Sequence, residues 1–197
     1  MIAPDRVAVV LLAAGRSVRF GMTDKLRAPF AGLPLGLHAA RMLGGFGFAR
    51  CFAVVGATPL DYAAEGFDAI VNDQPAAGQA HSLALGVAAA ADAEAVLVLL
   101  ADMPLVTPGH IRALLDRYEG RDTIVASRDE GRLSPPALFG QAHFAALLGL
   151  SGDQGARSLL RAGIAVAAPP GSLADIDTLD DLAELSGGKL PSAAPSA

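Results

Sequence analysis

Apolar runs alternate along this chain with stretches of helical period. Residues 7–12 (VAVVLL), 51–56 (CFAVVG), 68–73 (DAIVND), 95–102 (AVLVLLAD) and 123–127 (TIVAS) read as short strands. The first and fourth are so continuously apolar that both of their faces must be buried. Between them, residues 34–46 (PLGLHAARMLGGF), 78–91 (GQAHSLALGVAAAA) and 108–118 (PGHIRALLDRY) carry apolar positions at helical spacing, and a shorter helix is expected near 60–65. Strand and helix taking turns in this way predict an α/β fold: a single doubly wound, mostly parallel sheet with helices on both faces. Such sheets bind ligands beyond the carboxyl ends of their strands, where the strand order reverses, so the residues that end the strands are the first candidates for function.

The rhythm changes at residues 132–139. Pro135 and Pro136 cannot donate to a ladder, which predicts an edge strand or an excursion from the sheet, placed as a substrate flap. Residues 152–163 (GDQGARSLLRAG) then read as a capped helix, 164–168 (IAVAA) as a strand and 178–185 as a last helix. Residues 187–197, rich in Gly, Pro, Ser and Ala, are too poor in bulky apolar groups to order themselves and are expected to form a disordered tail. Residues 1–186 are left as one domain, without internal repeats.

Composition narrows the function classes. A net charge of −5 argues against a general nucleic-acid or anionic-membrane surface, so any anion site must be local. No run approaches the ~18 apolar residues of a membrane span. The first six residues carry Asp5 and enter the first strand without a small-residue cleavage site, so a cytoplasmic protein is expected. Cys51 is the one cysteine and excludes a disulfide framework or a thiolate cluster; core packing is its expected role. His38, His81, His110 and His143 fall in four separate helical patterns and are expected at the surface or an interface, with no ligand pair and no catalytic triad.

Chemistry concentrates after the first strand. Ala13, Ala14 and Gly15 leave backbone N–H groups unobstructed, and Arg16, Arg19 and Lys25 follow with charge, a combination suited to a polyphosphate. Neither G-x-x-x-x-G-K-S/T nor G-x-G-x-x-G is present at this turn, which disfavours an ATPase or a nicotinamide enzyme. Residues 12–26, LAAGRSVRFGMTDKL, instead resemble the signature L-A-(A/G)-G-x-S-x-R-M-G-x-x-D-K of the MobA-like nucleotidyltransferases, departing at Phe20. The resemblance implies that Leu12, Ala13, Ala14, Gly15, Arg19 and Lys25 hold a nucleoside triphosphate. It makes Arg19 and Lys25 catalytic, with Lys25 on the departing phosphates; Arg16 is left between that role and solvent.

Asp102 ends the most apolar strand, just ahead of Met103-Pro104. Read alone it is a turn or capping aspartate or one of the few carboxylates that Mg²⁺ needs beside phosphate oxygens. Its LADMP setting resembles the family's metal-binding D-x-P segment, which implies a catalytic, metal-binding and nucleotide-facing Asp102. In DIDTLDD, Asp177 or Thr178 can cap the last helix. The resemblance to the family's closing D-I-D-T-P-x-D segment gives Asp177 a second reading, as metal ligand. Asn72, Gly78 and Ser82 resemble the family's N-x-x-x-x-x-G-x-x-x-S-L-x-x-G segment, which implies contacts to base and ribose, although helix capping also suits Asn72 and Ser82.

Within the family an A-A-G turn accompanies cytidylyl transfer, so Ala14 implies CTP, and the chain to about residue 184 is similar to the molybdenum cofactor cytidylyltransferases. That resemblance makes residues 1–186 a nucleotidyltransferase domain that moves CMP from CTP, with Mg²⁺ and loss of pyrophosphate, to the terminal phosphate of molybdopterin or molybdenum cofactor. A molybdoenzyme apoprotein is then an expected partner. Arg157, within LSGDQGARSLL, can meet the anionic acceptor, and Asp153 can cap its helix. Where these enzymes carry a basic residue before the first proline of the flap, Ser134 stands here. Rival expectations are GTP or another phosphorylated acceptor, and a delivery protein that binds the cofactor without catalysing transfer.

Overall fold

The computed structural model describes residues 1–15, 20, 24–56, 59–152 and 156–186. Strand β1 (Val7–Ala13) explains the architecture: Val7, Val9 and Leu11 point into one apolar cluster, and Ala8 and Val10 into another on the opposite face. Three further parallel partners share its sheet, β4 (Arg50–Val55), β5 (Asp68–Val71) and β6 (Ala95–Leu100). Helices α1 (Leu37–Leu43) and α3 (Pro108–Asp116) close the first cluster; α2 (Gln79–Ala89), α4 (Phe144–Leu148) and α5 (Arg157–Leu160) close the second. Helix α2 lies so close to β1 that a Cβ at Gly86 would stand 2.3 Å from Val10 Cγ1.

Among the described residues seven strands form the main sheet in the order β5-β4-β1-β6-β8-β7-β9, with β7 at Ile124–Asp129, β8 at Arg132–Gly140 and β9 at Ile164–Ala167. Within that sheet, only the pairings of β8 are antiparallel. A two-stranded ribbon, β2 (Pro29–Phe30) and β3 (Leu33–Pro34), stands apart, and α6 (Leu179–Leu185) ends the described chain. Chain order reverses between β1 and β6, so the crevice at their carboxyl ends is the expected ligand site. No helix among the described residues is long and apolar enough to cross a membrane.

The structure corrects several expectations. Strand β8 is interior, between β6 and β7, and not at an edge. The prolines are tolerated because Ala137 faces Ala126 while Ser134 faces Ser127, so Pro135 and Pro136 bulge out of register, and because the ladder to β6 begins only at Ala137. Their shared peptide bond is cis. The helix expected near 60–65 is a single 3₁₀ turn, Ala63–Glu65, and the helix expected over 152–163 reduces to α5. The tail over 187–197, Arg16, Arg19 and Asp153 lie outside the described residues.

Candidate active site

Two adjoining cavities open at the reversal point. The smaller, about 250 Å³, is framed by the exit of β1 (Leu12, Ala13, Ala14, Gly15), by Lys25, and by Gly78 and Ser82 at the start of α2, with Asp102 at the end of β6. Seven of these eight positions owe their place to strand ends or to a helix start; Lys25 opens a 3₁₀ turn, Lys25–Arg27, capped by the Asp24 carboxylate, which accepts from Leu26 N at 3.1 Å. A Cβ at Gly15 would meet nothing within 4 Å, so the turn faces open space. Gly78 has φ 87°, a left-handed backbone that glycine adopts without a steric cost, and this turns the chain from β5 into α2.

Lys25 binds the site together. Its Nζ donates to Asp102 Oδ2 at 2.7 Å and to Asp177 Oδ1 at 2.6 Å. Asp102 reaches it from the end of β6, and the backbone of the C-terminal segment is pinned alongside, Ile176 N donating to Asp102 O at 3.0 Å. Thr178 caps α6, its Oγ1 accepting from Asp181 N while Asp181 Oδ2 accepts from Thr178 N. That reciprocal box resolves the choice left by the sequence: Thr178 takes the cap, and the Asp177 carboxylate turns to Lys25.

Desolvation is the largest influence on both buried members. It works against the Lys25 charge, but the neighbouring carboxylates, Asp102 foremost, outweigh it and hold the ammonium above its ordinary value of 10.5. At Asp102 burial wins over the help of Lys25, and the carboxyl is pushed above the ordinary carboxylate value of 3.8. The two directions differ in whether pairing or burial prevails. With one nitrogen in contact with two acids at these distances, the charged pair is the state the geometry favours. Asp102 Oδ1 is buried with no hydrogen-bond partner among the described residues.

Asn72 stands behind the cavity. It is 2% exposed, its Nδ2 donates to Ser82 Oγ at 2.8 Å and its Oδ1 accepts from Gln74 N at 2.8 Å, so it sets the turn that presents Ser82. The larger cavity, about 710 Å³, shares Leu12, Gln79 and Leu100 with the smaller and is where Arg157 lies. Sequence reasoning missed Arg132 and Arg161, which line it too. Arg161 had a usable signal, four residues after Arg157 on a helical pattern; Arg132 had none. His110 was expected at the surface or an interface, but it is buried within the fold on α3. Its Nε2 lies 2.7 Å from Ser127 Oγ, which donates to Pro136 O at 2.5 Å. With the hydroxyl proton spent on that carbonyl, Nε2–H is the donor to Ser127.

The pattern that defines the MobA-like NTP transferase domain matches residues 9–168, a span that takes in the β1 turn, Lys25 and Asp102. The chain belongs to that family. Among curated relatives, the purine catabolism protein PucB of Bacillus subtilis is 35% identical over 112 residues, which cover 53% of this chain and 54% of PucB. The bifunctional protein GlmU of Rhizorhabdus wittichii is 36% identical over 126 residues, 60% of this chain and 27% of GlmU. The matched part thus spans about half of the first relative and about a quarter of the second. Among solved structures, Rv0371c of Mycobacterium tuberculosis H37Rv superposes with a TM-score of 0.76 at 26% identity, covering 95% of this chain and all of that one. A complex of Rv0371c with manganese superposes at 0.71, covering 93% of this chain and all of that one. The family and the fold make this a nucleotidyltransferase domain, and divalent metals serve nucleotidyltransferases of this fold.

Proposed function

We propose that the protein transfers CMP from CTP to the terminal phosphate of molybdopterin or of molybdenum cofactor, releasing pyrophosphate. The observation that carries the reading is Lys25 drawing Asp102 and Asp177, 77 and 152 positions away, to the rim of the cavity that the β1 turn lines. An acceptor phosphate oxygen attacks the α-phosphorus of CTP, the bond from that phosphorus to the bridging oxygen breaks, and the electron pair leaves with pyrophosphate. The acceptor oxygen is already ionised, so the protein has to place two anions in line and neutralise charge rather than remove a proton.

Backbone N–H groups of Ala13, Ala14 and Gly15 form the triphosphate cradle, Lys25 and Arg19 meet the departing phosphates, and the Ala14 methyl narrows the space beside the base in favour of a pyrimidine. Gly78 and Ser82, with Asn72 behind it, border base and ribose. Arg157 meets the acceptor. A divalent cation suits the remaining groups: Asp102 Oδ1 is a buried oxygen with no donor among the described residues, and the Asp177 carboxylate meets the same Lys25 Nζ as Asp102 Oδ2. Mg²⁺ takes one or two carboxylates and completes its shell with phosphate oxygens and water, a demand that Asp102 and Asp177 would meet with the triphosphate. Bound there, Mg²⁺ supplies Lewis-acid stabilisation of the phosphate charge.

Mass spectrometry after incubation with CTP, Mg²⁺ and a molybdopterin-bearing extract tests donor and acceptor together: a cytidine monophosphate adduct of the pterin is expected. An adduct formed only from GTP, or on another phosphate, refutes this assignment. Asp102→Ala is expected to abolish pyrophosphate release with the fold retained.

A further inference from the structure

Three guanidiniums line the larger cavity. Arg132 reaches it from the start of β8, beside the β7–β8 turn, and Arg157 and Arg161 from opposite ends of α5, one helical turn apart on a shared face. All three are exposed, and among the described residues none forms an ion pair, whereas Arg6, Arg41 and Arg50 elsewhere pair with Glu94, Glu65 and Asp68. Carboxylates line the same cavity, from Asp129, Glu130 and Asp175, yet none lies within ion-pair distance of these guanidiniums. Beneath the charges the lining is apolar and solid: Leu83, Val98, Phe139 and Leu160 are each at most 3% exposed.

A cation cluster over an apolar floor recognises one chemical class well. Guanidinium is a planar fork that pairs bidentately with phosphate oxygens, and forks on two walls fix an anion from both sides. The floor then rewards a body with an apolar face, and a volume of about 710 Å³ lies in the range that encloses a ring system of drug size. A small polyol phosphate would leave that floor in contact with water.

We propose that Arg132 and Arg161 act with Arg157 as a two-walled clamp for the anionic end of the acceptor, and that the cavity selects organophosphates whose body is an aryl or heterocyclic ring. The inference rests on the nucleotidyl-transfer reading for the word acceptor; the binding chemistry itself does not depend on that reading. The clamp sets selectivity between the start of β8 and α5, two elements that come together only in the fold.

Phenyl phosphate is the probe, titrated calorimetrically into the full chain without nucleotide. Its affinity is expected to fall about tenfold in Arg132→Gln or Arg161→Gln and about a hundredfold in the pair, the scale of one charge-assisted hydrogen bond for each fork lost. Arg132→Lys, which keeps the charge and loses the fork, is expected to fall between. Inorganic phosphate and phenol are expected to bind at least about tenfold more weakly than the ester, because each makes only one of the two contacts. CTP affinity is expected to be unchanged in every variant. Wild-type protein that fails to bind phenyl phosphate, or a double variant that binds it as wild type does, overturns the proposal. Arginine-dependent binding in a protein that releases no pyrophosphate from any nucleotide refutes the transfer reading and leaves the clamp standing. Pyrophosphate release with no arginine dependence does the reverse.

Discussion

Replacing Lys25 by methionine keeps the length and apolar stem of the side chain and removes the charge that separates two acids. Side-chain exposure is 10% for Lys25, 18% for Asp102 and 33% for Asp177, so water screens the site only in part. Contacts of 2.7 and 2.6 Å to one nitrogen hold the two carboxylate oxygens within about 5 Å of each other. At an effective dielectric of about 20 and that separation, two negative charges repel by about 3 kcal/mol. Uncompensated, that repulsion is the main cost of the substitution, and the partial exposure of Asp177 reduces it to about 2–3 kcal/mol. For a chain of this size the loss corresponds to a fall of about 5–10 °C in Tm at pH 7.

The pH dependence gives the sharper test. In the wild type the Lys25 pKa is raised above 10.5, so its contribution is fully present at neutral pH and fades only as pH rises through the folded value. In the variant one carboxylate of the unshielded pair holds its proton more tightly than in the unfolded chain, so the deficit shrinks as pH falls and that proton binds. Thermal unfolding of both proteins at pH 7 and pH 5 measures this. Equal stability at pH 7, or a deficit of the same size at both values, refutes the electrostatic account.

Other outcomes follow from the packing. Gly86→Ala places a Cβ 2.3 Å from Val10 Cγ1 and is expected to cost about 1–3 kcal/mol in urea unfolding, with Val10→Ala restoring most of it; a neutral Gly86→Ala disproves the close approach of α2 and β1. Burial lowers the His110 pKa below its ordinary 6.5, so the unfolded chain takes up that proton first and stability falls as pH drops below about 6.5. His110→Gln is expected to flatten that acid-side decline, and an unaltered slope counts against a neutral buried imidazole. Burial, with Asp68 nearby, pushes the Cys51 thiol up to about 11, so iodoacetamide at pH 7.5 is expected to modify it only after unfolding.

The structure brings the small-residue turn after β1, Lys25 and Asp102 together around one cavity. Local signals single them out because a strand buried on both faces, a turn without bulky side chains and an acid at a strand end are each decided within a few residues. Asp177 was ambiguous for a physical reason. Asp and Thr both cap helices, and only the fold shows that Thr178 does so while Asp177 meets Lys25. The place of β8 was misread because proline chemistry forbids ladder donors but does not reveal that a register shift has made them unnecessary. Arg132 and Arg161 had no common spacing to link them, since their neighbourhood is created by β8 meeting α5. His110 escaped because its partner, Ser127, lies on a different element.

The bond between Lys25 and Asp177 closes a loop of 152 positions. A ribosome therefore exposes the small-residue turn after β1, and later Asp102, long before it delivers the second acid. Nascent chains arrested short of Asp177 contain the small-residue turn, Lys25 and Asp102 but lack the second carboxylate partner of Lys25, so that contact can close only after position 177 has been made.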